Sequence, residues 1–157
     1  MTYNLDHFDK KILAILQQDA SLTVSDVAAK IGLSTSPCWR RLKRLVDAGV
    51  VKKQVAILDH NQLGLDVIVF AEVKLEAHGH EALPNFQKAV EKLPEVLECY
   101  TVLGEMDFLL KVVATDIHAY ERFLRHLLSL PAVREVNSKM VVSEIKCTSE
   151  LPLDLLA

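Results

Sequence analysis

The chain has 157 residues, half of them apolar and a quarter charged, which allows one domain or two small ones and excludes a chain that is disordered throughout. No apolar run approaches the roughly 18 residues of a membrane-spanning helix, and the first residues lack the basic and then apolar pattern of a secretory signal. The net charge of −3 conceals an asymmetry, because residues 1–62 carry nine Lys and Arg against six Asp, whereas residues 63–157 carry nine Lys and Arg against fifteen Asp and Glu. A basic first module and an acidic second one indicate different partners, and only the first is suited to a polyanion.

Two helices with capped starts are predicted first. Asp6, with Asp9 three residues later, forms an N-cap with an acidic first turn, and the apolar spacing that follows predicts a helix to about residue 18. Thr23 and Asp26 form a pattern close to a capping box and predict the start of a second helix. Gly32 predicts its end.

A third helix and a strand complete the first module. Ser34 is the predicted N-cap of this helix, and Pro37 lies in its first turn, where a missing N–H costs little. The β-branched stretch 50–58 then predicts a strand, and a turn follows it. We therefore predict a helix-turn-helix DNA-binding domain with a hinge strand over residues 1–62, and a second domain over residues 63–157.

Strands and helices alternate in the second module. Alternating apolar residues predict strands, and helical apolar spacing predicts helices, in the order 67–75 (strand), 81–93 (helix), 96–103 (strand), 108–114 (strand), 116–130 (helix) and 133–142 (strand). In the second of these helices the residues expected to face inward are Ile117, Tyr120, Leu124, Leu127 and Leu128. The order β-α-β-β-α-β is the ferredoxin-like arrangement, so the predicted fold class is α+β. One face of such a sheet carries both helices, and the other is open and commonly pairs with a second copy.

The outward face of the third helix carries the predicted chemistry. Cys38, Leu42 and Leu45 share one side of that helix and are expected to be buried. Thr35 and Ser36 lie at its N-terminal end, where a recognition helix meets base edges. The residues predicted to contact DNA are Thr35, Ser36, Trp39, Arg40, Arg41, Lys43, Arg44 and Lys52.

Positive charge is concentrated along and just after this helix. Residues 38–53 carry six Lys and Arg against one Asp, which suits them to displace counterions from DNA phosphates. Arg40 or Lys43 fits a guanine edge, and the remaining cations suit phosphates. Trp39 has two interpretations, since its ring either packs under the module or touches DNA. An ordinary solvated basic face is the alternative interpretation of the whole surface.

Short motifs spread over almost the whole chain form a specific combination. They are Leu5-Asp6, Ile31–Leu45, Asp47–Val50, Leu93–Cys99, Gly104–Asp107, Leu130–Val133, Glu144–Lys146 and Leu151–Leu153. In this order and with these gaps, they resemble the Lrp/AsnC family of transcriptional regulators. The resemblance implies a winged-type helix-turn-helix, joined by the 50–58 strand to a regulatory domain that pairs into dimers and assembles into octamers or hexadecamers. It also implies small effectors, usually amino acids, bound at interfaces between dimers.

The effector site that the resemblance implies centres on one turn. Its candidate residues are Leu103, Gly104, Glu105, Met106, Asp107 and, more weakly, Ser138. A glycine turn exposes backbone N–H groups that hold a carboxylate, Asp107 pairs with an ammonium, and Met106 offers an adaptable apolar wall that favours an apolar or sulfur-containing amino acid. A plain hairpin, in which Asp107 bonds its own backbone, is the alternative.

Catalytic and metal signals are weak. His78 and His80 form an H-x-H pair without an evident third ligand, and no Ser-His-Asp, Walker or Rossmann pattern is present, so we expect no metal, no cofactor and no enzyme. Cys38, Cys99 and Cys147 are an odd number at wide spacing, which favours free thiols in a reducing cytoplasm. The prediction is a nucleoid-associated regulator that binds double-stranded DNA and an amino acid as a homo-oligomer. The alternatives are an enzyme similar to sirohaem decarboxylases and an effector-independent protein that compacts DNA.

Overall fold

The computed structural model describes residues 3–76 and 82–156. By their contacts they form two compact units, Met1–Ile57 together with Lys146–Ala157, and Leu58–Ile145. The sequence-based division assigned the tail to the second domain, whereas in the structure the tail belongs with the first unit. Within the described ranges, no helix is long and apolar enough to cross a membrane.

The first unit contains the three predicted helices, which are α1 (His7–Gln18), α2 (Val24–Ile31) and α3 (Thr35–Asp47). Both predicted N-caps form complete capping boxes, Asp6 with Asp9 and Thr23 with Asp26, so backbone N–H groups in each first turn are satisfied by side chains. Gly32 ends α2 in the left-handed region at φ +72°, where a side chain is strained. These local signals explain why the helix starts were predictable.

One small apolar core holds the three helices together. Its buried residues are Ile12, Leu13, Val27, Ala28, Ile31, Cys38 and Leu45. Cys38 and Leu45 are both fully buried, as the helical periodicity predicted, and Leu42 is half-buried against the same core. Ser34 occupies the N-cap position of α3, but its side chain makes no capping hydrogen bond.

The predicted hinge strand at 50–58 is wrong. Val50 and Val51 donate backbone N–H groups to the carbonyl of Leu45 and so close the end of α3. Residues 52–58 are exposed and pair with no strand in the described part of the chain. A strand requires a neighbouring ladder, and β-branched composition alone does not supply one.

The second unit is a four-stranded antiparallel sheet with two helices. Its elements are β1 (Val67–Leu75), α4 (Ala82–Val90), β2 (Val96–Thr101), β3 (Phe108–Ala114), α5 (Ile117–Ser129) and β4 (Val133–Met140). The strand order β2-β3-β1-β4 with β1 and β3 central confirms the predicted ferredoxin-like α+β arrangement. The first residue of the predicted 81–93 helix lies outside the described residues.

The core of this unit lies between the sheet and the helices. Alternate residues of β1 and β3 are buried there, and α5 contributes Tyr120, Phe123 and Leu127. The predicted inward positions Ile117 and Leu128 are wrong, since they are 57% and 45% exposed. The buried side of α5 is centred on Phe123 and Leu127, and 100° per residue turns Ile117 and Leu128 away from it.

Candidate nucleic-acid interface and effector turn

The outward side of α3 lies open to solvent. Thr35 and Ser36 in its first turn are exposed, and so are Arg40 and Lys43 one and two turns further on. Among the residues that the structure describes, no carboxylate forms an ion pair with Arg40 or Lys43. We call Thr35, Ser36, Trp39, Arg40 and Lys43 the outward face of α3.

Trp39 lies at the surface, not under the module. Its side chain is 51% exposed, and the ammonium of Lys43, one turn along α3, lies 5.3 Å from the ring centroid. That distance is a cation–π contact, and about half of the Trp39 side chain stays exposed beside it. Lys52 is exposed in the segment that follows α3.

Arg41 and Arg44 face in a different direction from their neighbours. Arg41 pairs with the carboxylates of Asp6 and Asp9, and its Nη1 lies 2.9 Å from Asp9 Oδ1. Arg44 Nη2 lies 2.8 Å from Asp9 Oδ2, and Asp9 is fully buried. Hydrogen bonds from the N–H of Asp9 and from the Arg41 guanidinium lower the pKa of Asp6. Sequence analysis missed this role of Asp9, and the signal for it was a pair of arginines three residues apart on one side of α3.

The C-terminal tail makes a second contact with α1 that sequence analysis missed. The N–H of Leu151 donates to Gln17 Oε1 at 2.7 Å, and Gln17 Nε2 donates to the carbonyl of Leu151 at 3.2 Å. Lys10 Nζ donates to the carbonyl of Leu156 at 2.6 Å. Leu153 packs against the core of the three helices. The tail is therefore part of the helical unit, although nearly a hundred residues separate them in sequence.

The predicted effector turn connects β2 to β3. Leu103, Gly104 and Glu105 are exposed, Met106 is half-buried, and Gly104 has φ +146°. Positive φ favours glycine at this position. The turn therefore presents polar backbone groups and the apolar side chains of Leu103 and Met106 to solvent, the latter only in part.

Asp107 ties this turn to the central strand. Its N–H donates to the carbonyl of Val73 at 2.9 Å, and its Oδ2 accepts the N–H of Leu75 at 2.8 Å. Its carbonyl also accepts the N–H of Val102 at 3.0 Å. Asp107 precedes the first residue of β3. Its backbone and its carboxylate thus extend the hydrogen bonding between β3 and β1 by one more residue.

Ser138 lies away from this turn within one chain. It pairs with Ala71 on β1, four residues and about 13 Å along the strand from Leu75. Its Oγ lies 2.5 Å from the hydroxyl oxygen of Tyr120. The structure therefore brings together residues 103–107 and leaves Ser138 separate from them.

The remaining candidate sites are the histidine pair and the three cysteines. His78 and His80 lie outside the described residues, and within those residues no cluster of His, Cys, Asp or Glu fits a metal ion. The three cysteines are free, with Cys38 buried and Cys99 and Cys147 exposed. Burial raises the pKa of the Cys38 thiol, so this side chain behaves as an apolar core residue.

Comparison with known proteins assigns both parts of the chain to one family. A model of winged helix-turn-helix DNA-binding domains matches residues 5–52, and a model of the Lrp/AsnC ligand binding domain matches residues 68–151. The chain is 38% identical to the DNA-binding transcriptional activator DecR of Escherichia coli K12 over 96% of this chain and 99% of DecR. It is 44% identical to a proline dehydrogenase transcriptional activator of Rhizobium radiobacter over 94% of this chain and 95% of that protein.

Two solved structures share the fold over nearly the full length. An AsnC family transcriptional regulator from Agrobacterium tumefaciens is 42% identical with a TM-score of 0.93, covering 98% of this chain and 100% of that one. The regulator NMB0573 of Neisseria meningitidis, solved in complex with L-Met, is 39% identical with a TM-score of 0.94 at the same coverage. These four relatives are named as transcriptional regulators or activators, and none of their names supports the sirohaem decarboxylase alternative. The chain therefore belongs to the Lrp/AsnC family and is a DNA-binding transcriptional regulator, not an enzyme.

Proposed function

We propose that this regulator reads its operator with the outward face of α3. One observation carries the proposal: Arg40 and Lys43 are exposed without an ion-pair partner in the described residues, on the side opposite the buried Cys38 and Leu45. Thr35 and Ser36 add hydroxyl groups at the end of the helix that enters the major groove first. A face with free cations and free hydroxyls fits base edges and phosphates at once.

The surrounding cations have different roles in this proposal. Lys52 is exposed beyond α3 and supplies a phosphate contact. Trp39 contacts the sugar-phosphate backbone through the open side of its ring. Arg41 and Arg44 were predicted to contact phosphates, but their guanidinium groups lie on the carboxylates of α1. We therefore leave them out of the DNA-contacting set.

Pairing of two chains would use the sheet face that carries no helix. Phe70 on β1 and Tyr100 on β2 are exposed there, 36% and 54% respectively. Exposed aromatic side chains on one sheet face are typical of an interface. Two copies joined in this way would present two α3 helices to half-sites about 34 Å apart, or a multiple of that distance. Further assembly of dimers into octamers or larger rings is part of the same proposal.

An amino acid bound at the turn 103–107 is the proposed effector. The exposed backbone of the turn suits a carboxylate, and Met106 suits an apolar or sulfur-containing side chain. The relative from Neisseria meningitidis was solved with L-Met, which supports this ligand class. Because Ser138 lies about 13 Å along the sheet from the position of Leu75, it joins such a site only from another copy of the chain.

A binding titration tests the DNA contact. We expect Arg40→Gln with Lys43→Gln to weaken binding to a duplex selected from a random pool at least about tenfold, because each such contact contributes about 1–3 kcal/mol. Lys11→Gln removes an exposed charge from α1 and is the matched control, with affinity near that of the native chain. Equal affinities of the double variant and the control would exclude the outward face of α3 as the contact surface.

A thermal-shift screen against the twenty amino acids tests the effector. A ligand that binds only the folded state raises the melting temperature by mass action. A shift with one or a few apolar or sulfur-containing amino acids is expected, and no shift with any of them would favour the effector-independent DNA-compacting protein. As a DNA-binding regulator, the protein is proposed to act on the nucleoid in the cytoplasm.

A further inference from the structure

A carboxylate without solvent exposure lies between α1 and α3. Asp9 is 0% exposed, and each of its oxygens has a guanidinium partner, with Oδ1 2.9 Å from Arg41 Nη1 and Oδ2 2.8 Å from Arg44 Nη2. Oδ2 also accepts the N–H of Asp6 at 3.3 Å, as part of the capping box. We call Asp9, Arg41 and Arg44 the Asp9 network.

Breaking the ion pairs of this network costs a large amount of free energy. A buried carboxylate that loses its cationic partners is left charged and desolvated, which costs far more than an exposed ion pair returns. Aromatic rings hold the guanidinium groups as well, since that of Arg41 lies 5.4 Å from the ring centroid of Phe8 and that of Arg44 lies 5.9 Å from that of Tyr3. Both arginines are therefore engaged on the α1 side of the helix.

The network also fixes how α3 is turned about its own axis. Arg41 and Arg44 are three residues apart and share one side of the helix, and Arg40 and Lys43 share another side, about 100° away. Two guanidinium groups that donate to different oxygens of one buried carboxylate allow little freedom of angle. Rotation of α3 would break both ion pairs, so the network keeps Arg40 and Lys43 facing outward.

We propose that Asp9 is the positioning residue of the recognition helix, and that Arg41 and Arg44 serve Asp9 and not the DNA phosphates. The inference rests on the proposed DNA contact through the outward face of α3. A buried ionic group adds the directional constraint that apolar contacts lack.

The test compares the salt dependence and the specificity of four proteins with those of one control variant. They are the native chain, Arg40→Gln with Lys43→Gln, Asp9→Asn with Arg41→Gln and Arg44→Gln, and Arg41→Lys with Arg44→Lys. The probes are a duplex selected from a random pool by the native chain and a shuffled duplex of equal composition. Circular dichroism checks that each variant is folded, and Lys11→Gln is the control for loss of an exposed charge in the same unit.

The expected results separate phosphate contact from positioning. The Arg40 and Lys43 variant lowers the affinity for the selected duplex at least about tenfold, because each lost contact to a base edge contributes about 1–3 kcal/mol. The variant with three amides leaves the slope of log K against log salt within about 0.5 of native but lowers the ratio of selected to shuffled affinity about fivefold or more. The lysine variant keeps both charges but lowers this affinity ratio by a similar factor, because a compact ammonium on a flexible stem does not reproduce the positions of the guanidinium nitrogens on Asp9.

Two results would overturn the inference. One is a fall of about 1.8 in the slope of log K against log salt for the three-amide variant, since each lost phosphate contact lowers that slope by about 0.9, which would make Arg41 and Arg44 phosphate contacts. The other is an unchanged affinity ratio in the lysine variant, which decides the question even if the three-amide variant does not fold. An unchanged affinity for the selected duplex in the Arg40 and Lys43 variant contradicts instead the proposed contact surface, so the two failures are distinguishable.

Discussion

Asp107→Ala is expected to destabilise the second unit even when no effector is present. The carboxylate accepts the N–H of Leu75 at 2.8 Å, and Leu75 is only 2% exposed. A buried donor that loses its acceptor costs about 1–3 kcal/mol. Because Asp107 itself is partly exposed, water replaces some of that bond, and we expect a loss of about 1–2 kcal/mol in the free energy of unfolding.

Asp107→Asn separates the structural role of this side chain from a role in effector binding. The amide retains an oxygen that accepts from Leu75, so we expect a loss of only about 0.5 kcal/mol. An asparagine cannot form an ion pair with an ammonium group. If the effector contacts Asp107, the thermal shift caused by the amino acid therefore disappears in Asp107→Asn although the protein remains nearly as stable as the native chain.

Urea denaturation followed by two signals measures the effect. Trp39 is the single tryptophan and reports on the first unit, whereas far-UV circular dichroism reports on both units. We expect Asp107→Ala to move the circular dichroism transition and to leave the tryptophan transition in place. A variant as stable as the native chain, within about 0.3 kcal/mol, would refute the view that Asp107 holds the turn on β1.

Three further predictions concern other parts of the chain. Ala132 has φ +68°, so Ala132→Gly is expected to stabilise the second unit by about 0.5–1 kcal/mol in thermal unfolding, and a destabilised variant would contradict the assigned strain. Gln17→Ala removes both hydrogen bonds to Leu151 and is expected to cost about 1 kcal/mol and to speed amide hydrogen exchange at Leu151, whereas unchanged exchange would show that the tail is held by other contacts. Hydrogen bonds from Thr23 lower the pKa of Asp26 in the folded state, so its contribution to stability is present above the ordinary pKa of an aspartate and is lost as the pH falls through the lowered value. Asp26→Asn should flatten that acid dependence in a pH series of melting temperatures, and an unchanged acid dependence would contradict the assignment.

The helices and strands were predictable because their signals are local. Asp6 with Asp9 and Thr23 with Asp26 form capping boxes from residues three apart, and the alternation in β1 follows from one buried sheet face. The 50–58 segment shows the limit of such signals. Its β-branched residues favour an extended backbone, but a strand needs a partner that composition does not specify.

Long-range contacts were the part that the sequence did not show. The sequence analysis assigned Arg41 and Arg44 to DNA, because helical spacing does not show that their side of α3 meets Asp9, which is more than thirty residues away. The contact of Gln17 with Leu151 spans 134 positions and leaves no pattern in either segment. Both contacts depend on how separate elements pack, and this is a property of the folded chain.

A hydroxyl-radical footprint on a selected duplex tests the central claim most directly. If two α3 helices bind one duplex through their outward faces, protection falls in segments whose centres are separated by about 34 Å, one helical turn, or a multiple of it. The native chain should give this periodic pattern, and the pattern should disappear in Arg40→Gln with Lys43→Gln but persist in Lys11→Gln. Protection without such a period, or the same pattern in the Arg40 and Lys43 variant, would contradict the claim that two α3 helices bind one duplex through their outward faces.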